Sequence, residues 1–269
     1  MIQSRTSYQS VVLAIQDSTY LNLDSFDSME GLGFVDCSNK WTHKGLVFHP
    51  SVAFSREGEC LGLLAYKIYS RSESRVYSRH DYMLKPIHGK ESYRWVESLR
   101  KNVAACSSQT DVVTIGDRES DIYELFQEAK NHQTFYLVRG TIDRYLYDEE
   151  FQSKKVQKNS AFAHSSMAAG YFNLDLPAHE GRQSRTALVE VKFFETTLKP
   201  PQWRASAIVE PLLPLDVWVR TVTATCPPAG IDPMRWVLLT NHPIESLEEA
   251  CEKHIGIRSD GKSKFTSKF

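Results

Sequence analysis

Two aspartates in this chain stand where short apolar runs end. Asp17 follows Val11-Val12-Leu13-Ala14-Ile15-Gln16 and precedes Ser18 and Thr19. Asp117 follows Val112-Val113-Thr114-Ile115-Gly116 and precedes Arg118, Glu119 and Ser120. β-branched runs of this length read as strands covered on both faces. Ligands gather at the carboxyl ends of strands in α/β sheets, so a strand-end carboxylate is placed for chemistry. If the two strands lie side by side in parallel, both carboxylates come to one edge of the sheet. Hard oxygen donors at such an edge suit Mg²⁺ or Mn²⁺, which prefer carboxylate and water. Asp17 and Asp117 are therefore the candidate metal ligands. For Asp117 the competing role is that of a turn cap, because Gly116 breaks the strand and turn-forming residues follow.

The elements that must hold these residues can be read from periodicity. Ser120 suits an N-cap and Asp121 a first helical turn, with Ile122, Leu125, Phe126 and Ala129 following at helical spacing. Tyr123 in that run is assigned to packing. Gly45–Phe54 and Cys60–Tyr69 read as strands, and the short Gly-containing turn between them predicts a hairpin. With the Asp17 strand they make an antiparallel meander. Residues 20–44 and 70–89 read as polar loops. From Ser92, the spacing of Trp95, Val96, Leu99, Val103 and Ala104 predicts an amphipathic helix, and Thr134–Arg139 reads as a further strand. Three antiparallel strands, a helix, a strand, a helix and a strand is the order of a ribonuclease-H-like α/β fold, a mixed sheet with helices. The sequence thus predicts such a core over 9–144. A β-rich insertion is expected over 145–228, with strands near 187–194 and 217–223. A return to the core is expected over 229–255, through a buried strand at 236–240 and a helix that Ser246 caps, with Glu249 at the capping-box position.

Composition narrows the function classes. With 269 residues, 41% hydrophobic and 24% charged, the chain can bury a real core. No apolar run approaches the ~20 residues of a membrane span. Five cysteines are scattered, odd in number and without a C-x-x-C pair, which argues for a reducing, cytoplasmic setting and against a zinc site. Net charge is -1, so nucleic acid would have to be met by a local basic patch. Arg71, Arg75 and Arg79 form one candidate patch.

At this point the motifs resemble those of DDE transposases of the insertion-sequence type. Leu13-Ala14-Ile15-Gln16-Asp17-Ser18-Thr19 looks like that family's first-Asp strand. Gly116-Asp117-Arg118-Glu119-Ser120-Asp121-Ile122-Tyr123 looks like its second-Asp motif, and Lys90-Glu91-Ser92-Tyr93-Arg94-Trp95 like the start of the intervening helix. Trp236-Val237-Leu238-Leu239-Thr240-Asn241 through Leu247 resembles the segment before the third carboxylate. The resemblance runs from about residue 9 to 253. It implies metal-dependent phosphodiester hydrolysis and strand transfer during DNA transposition, with two Mg²⁺ or Mn²⁺ ions between two aspartates and a glutamate. By that carry-over Asp17 and Asp117 are catalytic metal ligands. Arg118 and Arg139 are DNA-phosphate residues, Glu119 supports the site from behind the ligands, and Trp236 stacks on an unpaired base near the transposon end. The implied partners are transposon-end DNA and a second copy of the chain in a synaptic complex.

The sequence departs from the family at both ends. The family's helical DNA-recognition domain precedes its first-Asp strand, whereas only 16 residues precede Asp17 here. No Y-x-x-R-x-x-x-E helix follows Trp236. The segment 256–269 is polar, and an allowed back-translation of it, read one base earlier, spells that pattern with the glutamate at the slot of Lys264. The expectation is a frameshifted tail and a chain that lacks its third carboxylate. Glu245, Glu248, Glu249 and Glu252 read as a solvated helix face rather than as replacements. The expected activity is little or no cleavage. The alternative is a remnant that binds DNA or transposase and interferes with the full-length enzyme.

Overall fold

The computed structural model describes residues 2–246, except 27, 36–42, 72–78, 148–162, 164–165, 177, 179–182, 202–210 and 231. The expected helix from Ser246 and the tail 256–269 lie outside the described residues. So do Arg75, Glu248, Glu249 and Glu252. The chain divides into two compact units. One is Met1–Ile115, Glu128–Thr134 and Pro201–Leu212; the other is Gly116–Gln127, Phe135–Pro200 and Leu213–Phe269.

The first unit carries β1 (Val11–Gln16), β2 (Thr19–Asn22), β3 (Gly33–Phe34), β4 (Lys44–Phe54), β5 (Cys60–Tyr69) and β6, which begins at Asp111 and ends at Gly116. Its helices are α1 (Ile2–Thr6), α2 (Arg79–Leu84) and α3 (Tyr93–Ala105). β4 is the hub: β1, β2, β3 and β5 all pair with it antiparallel, and β6 joins the far edge of β1 in parallel. The expected hairpin and meander are therefore present. α3 packs on β1, β4 and β5. It buries Trp95, Val96 and Leu99, while the strands bury Val12, Ala14, Val47, Ala53 and Val112. Full burial of a large side chain such as Leu99 contributes about 1.5–3 kcal/mol. The opposite faces of these strands are also apolar. Leu13, Ile15, Phe48, Val52 and Phe54 are half-buried there, and Leu63, Tyr66 and Ile68 of β5 are exposed. β1 consequently shows no polar–apolar alternation, and only its apolar, β-branched run marks it as a strand.

The second unit carries β7 (Phe135–Arg139), β8 (Gly170–Leu176), β9 (Arg185–Leu198), β10 (Leu215–Ala224) and β11 (Arg235–Thr240). They pair antiparallel in the order β7-β11-β10-β9-β8. Leu174, Ala187, Val189, Val191, Val222, Ala224 and Ile244 form its core cluster. The helix α4 (Tyr123–Asn131) begins in this unit. Tyr123 is fully buried, and its hydroxyl lies 2.8 Å from the Leu213 carbonyl oxygen and 3.1 Å from that of Leu198. Burial raises its pKa well above that of a free phenol. Tyr123→Phe is expected to lower stability by about 1–2 kcal/mol, because the buried Leu198 carbonyl and the partly buried Leu213 carbonyl lose their shared donor. Urea unfolding measures it, and an unchanged midpoint would mean the hydroxyl contributes nothing.

The ribonuclease-H-like α/β class is not what the structure shows. Among the described residues the protein is mostly β, with 43% strand and 19% helix, and the eleven strands described pair in mixed fashion. Three features produce this excess of strand. Residues 20–44, read as a loop, contain β2 and β3; all four β2 residues are exposed, so no apolar pattern betrays it. β9 and β10 are longer than their apolar cores, at 14 and 10 residues. β8 was not expected at all. The stretch 70–89, also read as a loop, contains α2. No helix among the described residues is long and apolar enough to cross a membrane.

Candidate functional site

Asp17 lies in the first unit, one residue past β1. Its carboxylate accepts the backbone N–H of Ser18 at 2.8 Å, which fixes the turn. Behind it runs a buried polar chain. Arg94 Nε donates to Ser18 Oγ at 3.0 Å, Ser18 Oγ lies 2.9 Å from His49 Nδ1, and His49 Nε2 lies 3.2 Å from Gln16 Oε1. Burial, and then the neighbouring Arg94 charge, push the His49 pKa down to about 3. The ring is thus neutral at pH 7. Gln16 Oε1 can only accept, so Nε2 of His49 carries the proton, and Nδ1 accepts from the Ser18 hydroxyl. Trp95 meets the imidazole edge-on, with ring centroids 4.6 Å apart. The parallel register of β1 and β6 sets Ile15 opposite Ile115, two residues before Asp17 and Asp117 respectively.

Asp117 lies in the second unit and is a cap. It precedes a 3₁₀ turn at Arg118–Ser120, and its side chain accepts the Glu119 N–H at 2.9 Å. Its carbonyl accepts the Ser120 hydroxyl at 2.6 Å. The expectation that Ser120 caps the following helix with Asp121 in the first turn is corrected: Ser120 closes the 3₁₀ turn and α4 starts only at Tyr123. Glu119 is exposed on this turn.

Arg118 and Arg139 come together. Both line a cleft of about 450 Å³ in the second unit, with Gly140, Thr141, Asp143, Thr221 and Arg235. Arg139, at the end of β7, is half-buried; burial first and Arg118 second lower its pKa, and the Asp117 carboxylate opposes them. A Cβ at Gly140 would meet Val237 Cγ1 at 3.3 Å, so a side chain there would crowd the cleft floor. The Arg139 guanidinium also lies 5.8 Å from the Trp236 ring centroid. Trp236 itself packs against the core cluster of Val222 and Ile244, while its strand neighbours Arg235 and Val237 line the cleft. Period-2 alternation explains this split. Arg235, Thr141 and Asp143 were not singled out from the sequence. The alternation about Trp236 could have pointed to Arg235, but nothing local marks the other two.

Arg71, expected in an exposed basic patch, instead bonds Glu91 at 2.6 Å and is largely buried. Glu91 is held below the usual carboxylate range, its burial outweighed by Arg71 and Tyr69.

Among the described residues no three His, Cys, Asp or Glu side chains are arranged to hold a metal. Asp17 and Asp117 each spend a carboxylate oxygen on a backbone N–H. Two such carboxylates fall short of the oxygen donors that two divalent ions require. The remaining chemistry is that of three guanidiniums, two hydroxyls and one carboxylate, Asp143, around the cleft, a cationic balance that suits a phosphodiester. No protein-family model matches the chain.

Proposed function

We propose that the chain is a fragment of a DDE-transposase-type catalytic core that binds DNA through its arginine cleft and does not cleave it unaided. The observation that carries this reading is the meeting of Arg118, Arg139 and Arg235 around one cleft, with Asp117 electrostatically beside Arg139. The family resemblance assigns Arg118 and Arg139 to DNA phosphate. In this reading guanidiniums hold the phosphates, and Asp17 and Asp117 serve their own turns rather than a pair of ions. Transposon-end DNA is the partner, a second copy of the chain joins in synapsis, and the cytoplasm is the setting. Base stacking by Trp236 would require it to leave its apolar neighbours, which makes it the weakest of the carried-over roles.

The test is binding of a fluorescein-labelled 20-base-pair duplex by anisotropy across a salt series. Arg139→Ala is expected to weaken binding about tenfold and to flatten the log–log salt slope by roughly one, as loss of one phosphate contact should. No nicking of the duplex is expected with Mg²⁺ or Mn²⁺. Wild-type affinity in Arg139→Ala would sink the cleft assignment, and nicking that Asp117→Ala abolishes would sink the claim of an incomplete site.

A further inference from the structure

We propose that Asp121 is a positioning residue for the arginine cleft. Its buried carboxylate ties the turn that carries Arg118 to the loop that follows Arg139, and so sets where both guanidiniums meet a phosphodiester. The proposal rests on the nucleic-acid reading of the cleft.

The Asp121 side chain is 1% exposed. Its Oδ2 accepts the backbone N–H of Thr141 at 2.7 Å and of Ile142 at 2.8 Å, with the Thr141 hydroxyl at 3.3 Å. Its Oδ1 accepts from Arg144, whose Nη2 also reaches the Asp121 carbonyl at 3.0 Å. On the other side, the Asp121 N–H bonds the Arg118 carbonyl at 3.3 Å and closes the 3₁₀ turn. Asp121 is therefore the joint between two arginine-bearing segments. Arg139, Gly140, Thr141, Ile142 and Asp143 are consecutive cleft-lining residues, and the Thr141–Arg144 part of that wall hangs from this carboxylate. Arg144 is anchored in turn, 5.3 Å from the Phe126 ring centroid and 5.7 Å from that of Tyr123. Phe126 stacks on Tyr136 with centroids 4.6 Å apart. A charged pair this deep is weak as a source of stability. A carboxylate that organises two backbone N–H groups and a guanidinium is, however, an effective way to fix a loop of irregular backbone.

The experiment is a double-mutant cycle on the full chain. Asp121→Asn and Arg144→Lys are each made alone and with Arg139→Ala; Arg144→Lys keeps a cation against the carboxylate should Asp121→Asn fail to fold. Two quantities are read: amide hydrogen exchange over residues 139–144, and affinity for the 20-base-pair duplex. Either variant is expected to lose protection over 139–144 while β10 and β11 keep theirs. Each should bind the duplex about tenfold more weakly, and that loss should shrink in the Arg139→Ala background, because part of the clamp's effect acts through Arg139. A general loss of structure would instead weaken binding equally in both backgrounds, and that result overturns the positioning role. Unchanged affinity despite lost protection overturns it too, and unchanged protection in both variants overturns the clamp itself. If Arg139→Ala alone leaves binding untouched, the nucleic-acid reading fails and the proposal falls with it, a pattern distinct from the others.

Discussion

Arg144→Met is expected to destabilise the protein by about 3–5 kcal/mol, the usual penalty for leaving one member of a buried ion pair behind. The Arg144 side chain is 6% exposed and that of Asp121 1% exposed, so water cannot replace the lost guanidinium. Methionine fills much of the space and keeps apolar contact with Phe126 and Tyr123. The expected loss is thus electrostatic rather than one of packing. A companion Asp121→Asn/Arg144→Met protein should recover much of the loss, since no charge then remains in the interior. Chemical denaturation of the three proteins measures this. If Arg144→Met alone costs under about 1 kcal/mol, the pair is not buried in the way described.

Acid is expected to weaken the protein well before most carboxylates titrate, and the cause is His49. The imidazole is fully buried, and its pKa falls from 6.5 to about 3 on folding. Below pH 6.5 the unfolded chain binds a proton that the folded chain refuses, so unfolding gains about 1.4 kcal/mol per pH unit. The His49 contribution is complete above pH 6.5 and is lost progressively as pH falls towards 3. The loss should amount to about 2 kcal/mol by pH 5. The group facing the ring with the strongest effect is Arg94, which opposes protonation. The difference in stability between wild type and His49→Gln across pH 5–7 isolates the effect. A difference independent of pH would show that His49 does not stay neutral in the fold. The same ring orients Ser18 beside Asp17, so acid should loosen the Asp17 turn before the core of the second unit.

Local sequence carried much of the strand pattern. Val11–Gln16, Gly45–Phe54, Cys60–Tyr69, Val112–Ile115 and Trp236–Thr240 are legible because β-branched and aromatic runs bounded by turn residues bury their own faces. α3 is legible because Trp95, Val96 and Leu99 recur at helical spacing. The class was misread because strand content was set by segments without an apolar signature. The four residues of β2 are exposed, and what holds them is backbone pairing to Gly45–Phe48. Such pairing depends on a neighbour more than twenty residues away in the chain, and no local period reports it.

The candidate site divides along the same line. Sequence by itself determined that Asp17 and Asp117 end apolar strands, that Gly116 turns the chain, and that arginines follow closely. Only the tertiary structure decided what each side chain does. Asp117 caps a 3₁₀ turn, whereas Asp121, which reads as an ordinary first-turn acid, turns away to bind Thr141, Ile142 and Arg144. Arg71 reads as part of a basic patch yet is held by Glu91. Arg235 reads as a strand-end charge yet lines the same cleft as Arg118 and Arg139. The physical reason is common to all of these. A residue's chain neighbours fix its backbone preferences, but the partner of a charged or polar group is chosen by burial. Once water is excluded, the group must bond whatever donor or acceptor the fold brings beside it.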